Sequence, residues 1–208
     1  MVIQVMNNKP VLIVIAGPNG SGKTSVTSQI LKHDWVENCV YINPDNIALE
    51  EFGSWNDPES IMKAAKMATQ MRENCLKEQK NFIFETVFSA IDKIDFLKRA
   101  KQEGYFIRLF FVGTSHPSIN ASRIVRRVME GGHDVPITKI ISRYTKSIAN
   151  CCAASTFVDR LYVYDNSKDF SMAKLLFRAR EDKLEKDYHI TPSWALPIYK
   201  VLKIDKKT

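Results

Sequence analysis

The octapeptide Gly17-Pro18-Asn19-Gly20-Ser21-Gly22-Lys23-Thr24 limits the folds open to this chain more than any other stretch. It fits G-x-x-x-x-G-K-[ST], the P-loop, and its flanks are of the right kind. Val11 to Ala16 is apolar and β-branched, and reads as a buried parallel strand. Ser25 to Lys32 reads as the helix that must follow. In such a turn successive backbone N–H groups converge on phosphate oxygens, and the helix N-terminus adds partial positive charge. The nucleotide-binding set expected here is Gly17, Asn19, Gly20, Ser21, Gly22, Lys23, Thr24 and Ser25. Lys23 would reach the β- and γ-phosphates, and the Thr24 hydroxyl would ligate Mg²⁺. The alternative, a Gly/Ser-rich turn that happens to hold a lysine, does not account for the strand before it.

The rest of the chain repeats the strand–helix alternation. Strands are expected at Cys39–Ile42, Asn81–Phe84, Phe106–Val112 and Arg160–Tyr164. Helices are expected from Pro58 to Lys77, with Asp57 as N-cap and Ile61, Ala65, Ala68, Met71 and Cys75 inward, and from a Ser89/Asp92 capping box to Gly104. Pro117 opens an arginine-bearing helix that stops at Gly131-Gly132. A further helix carries Ile140, Ile141, Tyr144 and Ile148 on one side. Met172 to Lys186 reads as a charged helix, and Ile198 to Ile204 as a short strand. This predicts an α/β, P-loop nucleoside-triphosphate hydrolase/kinase fold: a parallel sheet of about five strands, helices on both faces and a helical lid. Residues 1–208 are expected to form a single domain, with 115–136 as the candidate lid.

Composition narrows the partners. The net charge of +7 suits anionic ligands, but lysines and arginines are scattered, so nucleic acid is the less favoured reading. No apolar run approaches the roughly 20 residues of a membrane span. The first ten residues lack a secretory pattern, and the four cysteines lack metal-ligand spacing. Read as small hydrophobes in a reducing compartment, the cysteines imply a cytoplasmic protein.

Three further features should converge on the phosphate end of the sheet. Asp45 follows the strand ending at Ile42, where it could orient or deprotonate an acceptor hydroxyl; an Asx-turn after Pro44 is the structural alternative. Glu85-Thr86 ends an apolar strand, so a carboxylate there needs a partner, Mg²⁺ waters or a substrate hydroxyl; an N-cap or a salt bridge to a nearby lysine is the structural alternative. Arg123, Arg126 and Arg127 lie at helical spacing and could clamp a moving phosphoryl group, Arg127 being the one aimed away from the other two. His133 is a weaker phosphate candidate, and Asp165-Asn166-Ser167 is placed near the base by analogy.

Taken in order, AGPNGSGKT, INPDNIA, FIFET, the arginine-rich segment ending in GGHDVP, and LYVYDNS resemble the zeta-toxin family of P-loop kinases over roughly Val11 to Ser167. The resemblance implies an ATP- or GTP-dependent kinase acting with Mg²⁺ on a small-molecule hydroxyl. In the family that hydroxyl is the 3′-hydroxyl of UDP-N-acetylglucosamine. It implies catalytic roles for Lys23, Asp45, Arg123 and Arg126, and acceptor contacts from Asp45, Glu85 and Thr86. An antitoxin protein joins the candidate partners. Two departures bear on the acceptor: the toxins carry an acidic residue where Asn43 stands, and a Gly-Thr-Gly-Arg-like turn at Thr86-Val87-Phe88-Ser89. The competing functions are a polynucleotide-end kinase and a nucleotide-gated ATPase switch.

Overall fold

The computed structural model describes residues 9–33, 36–132 and 134–204. Its core is the parallel sheet that the apolar runs predict. β1 (Val11–Ala16) is central, flanked by β3 (Phe82–Thr86) and β4 (Phe106–Gly113). β2 (Val40–Ile42) lies outside β3, and β5 (Arg160–Asp165) lies outside β4. All four pairings are parallel. Leu12 to Ala16 have no exposed surface, as a strand covered on both faces requires. On one face α1 (Lys23–Ile30) buries Val26 and Ile30 against Ile13, Ile15 and Phe110. The opposite face packs against α2 (Pro44–Phe52), α3 (Pro58–Lys77), α4 (Asp92–Gln102) and α6 (Ile137–Ala154).

Beyond β5 the sheet departs from expectation. Met172 to Lys186 is not a helix but an antiparallel hairpin, β6 (Lys174–Arg180) and β7 (Lys183–Asp187). Glu181 and Asp182 turn it, with φ of 47° and 66°. Such paired left-handed residues belong to the two-residue hairpin turn whose twist matches the strands. Leu176, Phe177 and Ala179 are buried while the charged residues face out, so the charges belong to an outer strand. The tail forms α7 (Leu196–Lys200) where a strand was expected. β8 (Lys203–Ile204) then pairs with β7 and completes eight strands.

Smaller corrections concern register. α3 is capped by Asp57 as expected, but it buries Ala64, Ala68, Arg72, Cys75 and Leu76 while Ile61 is exposed. The guanidinium of Arg72 lies 5.3 Å from the Phe84 ring and 5.8 Å from the Phe96 ring, filling a slot that an apolar residue was expected to hold. α4 starts at Asp92 after Ile91 with no side-chain cap, so the Ser89 capping box does not form. On α6, Ile141 is exposed, and Ser147 and Cys151 continue the buried stripe.

Candidate functional site

The P-loop joins β1 to α1 at the carboxyl edge of the sheet. Gly22 caps α1 in the left-handed region at φ 85°, and a Cβ there would stand 2.1 Å from Asn166 Nδ2. Only glycine satisfies both conditions. Asn166, at the end of β5, donates to Ser21 O at 2.8 Å. Asn120 donates to Asn19 O at 2.7 Å and accepts from the Thr114 hydroxyl. Two amide side chains therefore hold the loop at two of its carbonyls, those of Asn19 and Ser21. Asn166 was expected near the nucleotide base, and here it braces the loop itself. Asn120 escaped the sequence reading because a single asparagine inside a helix carries no motif.

The interior of the loop fits a phosphate group. The Ser21 hydroxyl is buried without a hydrogen-bond partner. Lys23 Nζ folds back onto the carbonyls of Gly17 at 2.9 Å and Pro18 at 3.1 Å. Desolvation lowers the Lys23 pKa, against the opposing pull of the Glu85 and Asp45 carboxylates. A desolvated ammonium seated on carbonyls gains a full counter-charge when a phosphate arrives. Thr24 and Ser25 are exposed in the first turn of α1. Among the described residues there is no cluster of three or more His, Cys, Asp or Glu side chains suited to a metal. Mg²⁺ held by phosphates, water and one protein oxygen needs no such cluster.

Asp45 and Glu85 sit on adjacent strand ends, close enough to bear on the charge of Lys23. Asp45 is exposed in the first turn of α2, and its backbone N–H is capped by Asn43 Oδ1 at 2.9 Å. The cap of α2 is therefore Asn43, ahead of Pro44, and not the Asx-turn or N-cap anticipated at Asp45 after it. Glu85 is 7% exposed. Its Oε1 accepts from the Thr27 hydroxyl at 2.7 Å and from the Tyr41 hydroxyl at 2.6 Å. Thr86 is half-buried, and its carbonyl accepts from Gly17 N at 3.3 Å.

The arginines are distributed differently from expectation. α5 (Pro117–Met129) carries Arg123 and Arg126, and both pair with Asp169 in the loop after β5, at 2.7 and 3.4 Å. Arg126 also lies over Phe170, 5.4 Å from the ring centre. Arg127 and Arg143 are instead the two whose positive charge reaches Lys23. Arg143, on α6, donates to the Asn19 side chain of the P-loop at 3.2 Å. Sequence does not single it out, because its partner on the P-loop is distant along the chain. Arg143 flanks the apolar stripe of that helix, next to Tyr144, whose buried hydroxyl donates to Thr114 O at 2.6 Å and fixes α6 against the end of β4. His133 lies outside the described residues.

A glycine-rich loop at the centre of a parallel sheet, carboxylates on neighbouring strand ends and arginine helices alongside define a P-loop protein of the nucleotide-kinase architecture. Within that class, the zeta toxin family model matches residues 3–174, and the chain belongs to that family. It is 31% identical over 140 residues to an uncharacterized protein of Haemophilus influenzae, covering 67% of this chain and 95% of that one. The fold is similar to a structure from the PezAT toxin–antitoxin system of Streptococcus pneumoniae, with TM-score 0.60 and 17% identity over 94% of this chain and 79% of the other. It is also similar to an AvrRxo1-ORF1:-ORF2 complex with ATP, with TM-score 0.65 and 14% identity over 96% and 65% of the two chains.

Proposed function

We propose that this chain is an ATP-dependent phosphotransferase that moves the γ-phosphate to a hydroxyl group of a small molecule. The observation that carries this reading is the pair of carboxylates, Asp45 and Glu85, set beside a desolvated P-loop lysine. A nucleotide switch has no need of a hydroxyl-orienting group there. Lys23 and the loop N–H groups hold the β- and γ-phosphates of ATP, or of GTP. Thr24 supplies the protein oxygen for Mg²⁺, which when bound neutralises charge on the phosphates. Asp45 accepts the hydrogen bond of the attacking hydroxyl and takes its proton as the bond to phosphorus forms. Glu85 and Thr86 line the acceptor side. Arg143, bonded to the P-loop through Asn19, and Arg127, whose charge also reaches Lys23, are the arginines assigned to the transferring group. Arg123 and Arg126 join them only if the 115–136 segment closes as a lid and releases Asp169.

UDP-N-acetylglucosamine is the first acceptor to test, on the strength of family membership. A protein partner of antitoxin type is proposed on the same ground and on likeness to a toxin–antitoxin system. No described helix is long and apolar enough to cross a membrane. The four cysteines are free, in keeping with the cytoplasmic location proposed here.

The deciding experiment is a labelled-ATP transfer screen over nucleotide sugars, nucleosides, dinucleotides and oligonucleotides. Label should appear on a small acceptor. Asp45→Ala should abolish transfer while calorimetry shows ATP binding largely intact. Full transferase activity in that variant would remove Asp45 from the mechanism, and label on oligonucleotides alone would replace the small-molecule reading.

A further inference from the structure

The hydrogen bonds of Glu85 continue beyond it. The Tyr41 hydroxyl, which donates to Glu85 Oε1 at 2.6 Å, itself accepts from Asn43 Nδ2 at 3.1 Å. The same amide turns its oxygen to the backbone N–H of Asp45 at 2.9 Å. Thr27, whose hydroxyl is 3.1 Å from Lys23 O and 2.7 Å from Glu85, ties the other end to the P-loop helix. One ordered chain of donors and acceptors therefore runs from α1 through β3 and β2 to the cap of α2. From the amide–phenol–carboxylate order we infer that Tyr41 and Asn43 are positioning residues, which fix the Glu85 carboxylate and the first turn bearing Asp45 relative to the phosphates. This inference rests on the phosphotransfer reading of Asp45 and Glu85.

The direction of the chain depends on chemistry at position 43. Burial and the Glu85 charge push the Tyr41 phenol upward from its ordinary value, so it stays protonated and can give its one proton to only one partner. An amide at position 43 offers N–H to the phenol oxygen and leaves that proton for Glu85. A carboxylate at position 43 offers no donor and competes for it. The neutral Asn43 is thus matched to Tyr41. Two hydroxyl donors, Thr27 and Tyr41, thus share Glu85 Oε1 and fix the carboxylate plane.

Two variants test this without removing the cap or the ring. Asn43→Asp keeps an equally good N-cap, and Tyr41→Phe keeps the aromatic packing. Mg·ATP turnover is measured with water as acceptor and with UDP-N-acetylglucosamine added. Each variant should lose on the order of tenfold in kcat, the scale expected from a small misplacement of catalytic groups. KM for ATP should stay within about twofold, a split that loss of overall packing does not produce. Crystal structures of wild type and Asn43→Asp supply a second readout. The Tyr41 oxygen should move from Glu85 to the new carboxylate. Wild-type kcat in both variants, or a Tyr41–Glu85 bond unchanged in Asn43→Asp, overturns the inference. A wild type no more active than Lys23→Ala would refute the phosphotransfer reading instead, and the crystal comparison would still decide the hydrogen-bond order.

Discussion

Lys23 shows what a single residue contributes here. Its ammonium rests on two carbonyls, and desolvation holds its pKa below the ordinary 10.5 in spite of Glu85 and Asp45. Nucleotide phosphates would pull that pKa back up. Between the lowered and the restored values, free protein carries the neutral amine and bound protein the ammonium, so ATP binding takes up a proton in that window. Calorimetry over a series of pH values, in buffers of different ionisation enthalpy, should show this uptake below the ordinary lysine value, and it should vanish in Lys23→Met. Arg143 makes the second prediction at this scale. It touches the P-loop through Asn19 and lies near Lys23. Its removal as Arg143→Ala should lower kcat by roughly a thousandfold if it meets the transferring phosphoryl as an arginine finger does. Arg143→Lys should recover little, because an ammonium cannot reproduce the planar fork. A variant within about tenfold of wild type would assign Arg143 to loop support alone.

At the scale of elements, the end of α5 decides where Arg127 stands. Gly131 donates to Val128 O at 2.9 Å and Gly132 to Arg127 O at 2.8 Å, the paired bonds of a Schellman ending. A Cβ on Gly132 would stand 2.5 Å from Arg127 Cγ and 2.9 Å from Arg127 O. Gly132→Ala should therefore displace the Arg127 stem and reduce kcat while the unfolding midpoint falls by only a few degrees, the shift of about 1 kcal/mol. Equal loss of kcat in Arg127→Ala and in the double variant would confirm that the glycine acts through the arginine. The same scale explains what could be read from sequence. β1 was legible because a strand buried on both faces is apolar throughout, and β3, β4 and β5 because each carries a run of β-branched or aromatic residues between turn signals. The Asp57-Pro58 start of α3 was legible because capping is local chemistry. The β6–β7 hairpin was not, because a strand near the sheet edge keeps one charged face and its turn uses Glu181 and Asp182 rather than glycine. The position of Asp45 and Glu85 beside Lys23 was legible because strand ends can be counted along the chain. Arg143, Asn120 and Tyr41 were missed because their partners lie 124, 101 and 44 residues away.

The whole molecule raises a different question, since the family match ends at residue 174 and the chain continues through β6, β7, α7 and β8. Those last elements reach back to the site. Trp194 is 6% exposed, and its ring lies against Phe111 and the backbone of Gly113 at the end of β4. Its Nε1 donates to Asp165 Oδ1 at 2.9 Å, the same oxygen that accepts from the Ser167 hydroxyl at 2.5 Å. Ser167 in turn accepts from Ser115 N at 2.8 Å, and Asn166 between them braces the P-loop. The C-terminal extension is thus bonded, through Trp194 ahead of α7, to the loop that braces the P-loop, which predicts two separable effects. Trp194→Ala should cost about 3–5 kcal/mol in urea unfolding, the usual result of emptying a buried tryptophan site. Trp194→Phe retains most of the packing but leaves Asp165 one donor short, and should cost about 1 kcal/mol. If the extension acts on the site through Asp165, Trp194→Phe should also weaken ATP binding by a few-fold, read by calorimetry well below the unfolding transition. Unchanged ATP affinity with the expected stability loss would make the extension a structural buttress with no hold on the nucleotide.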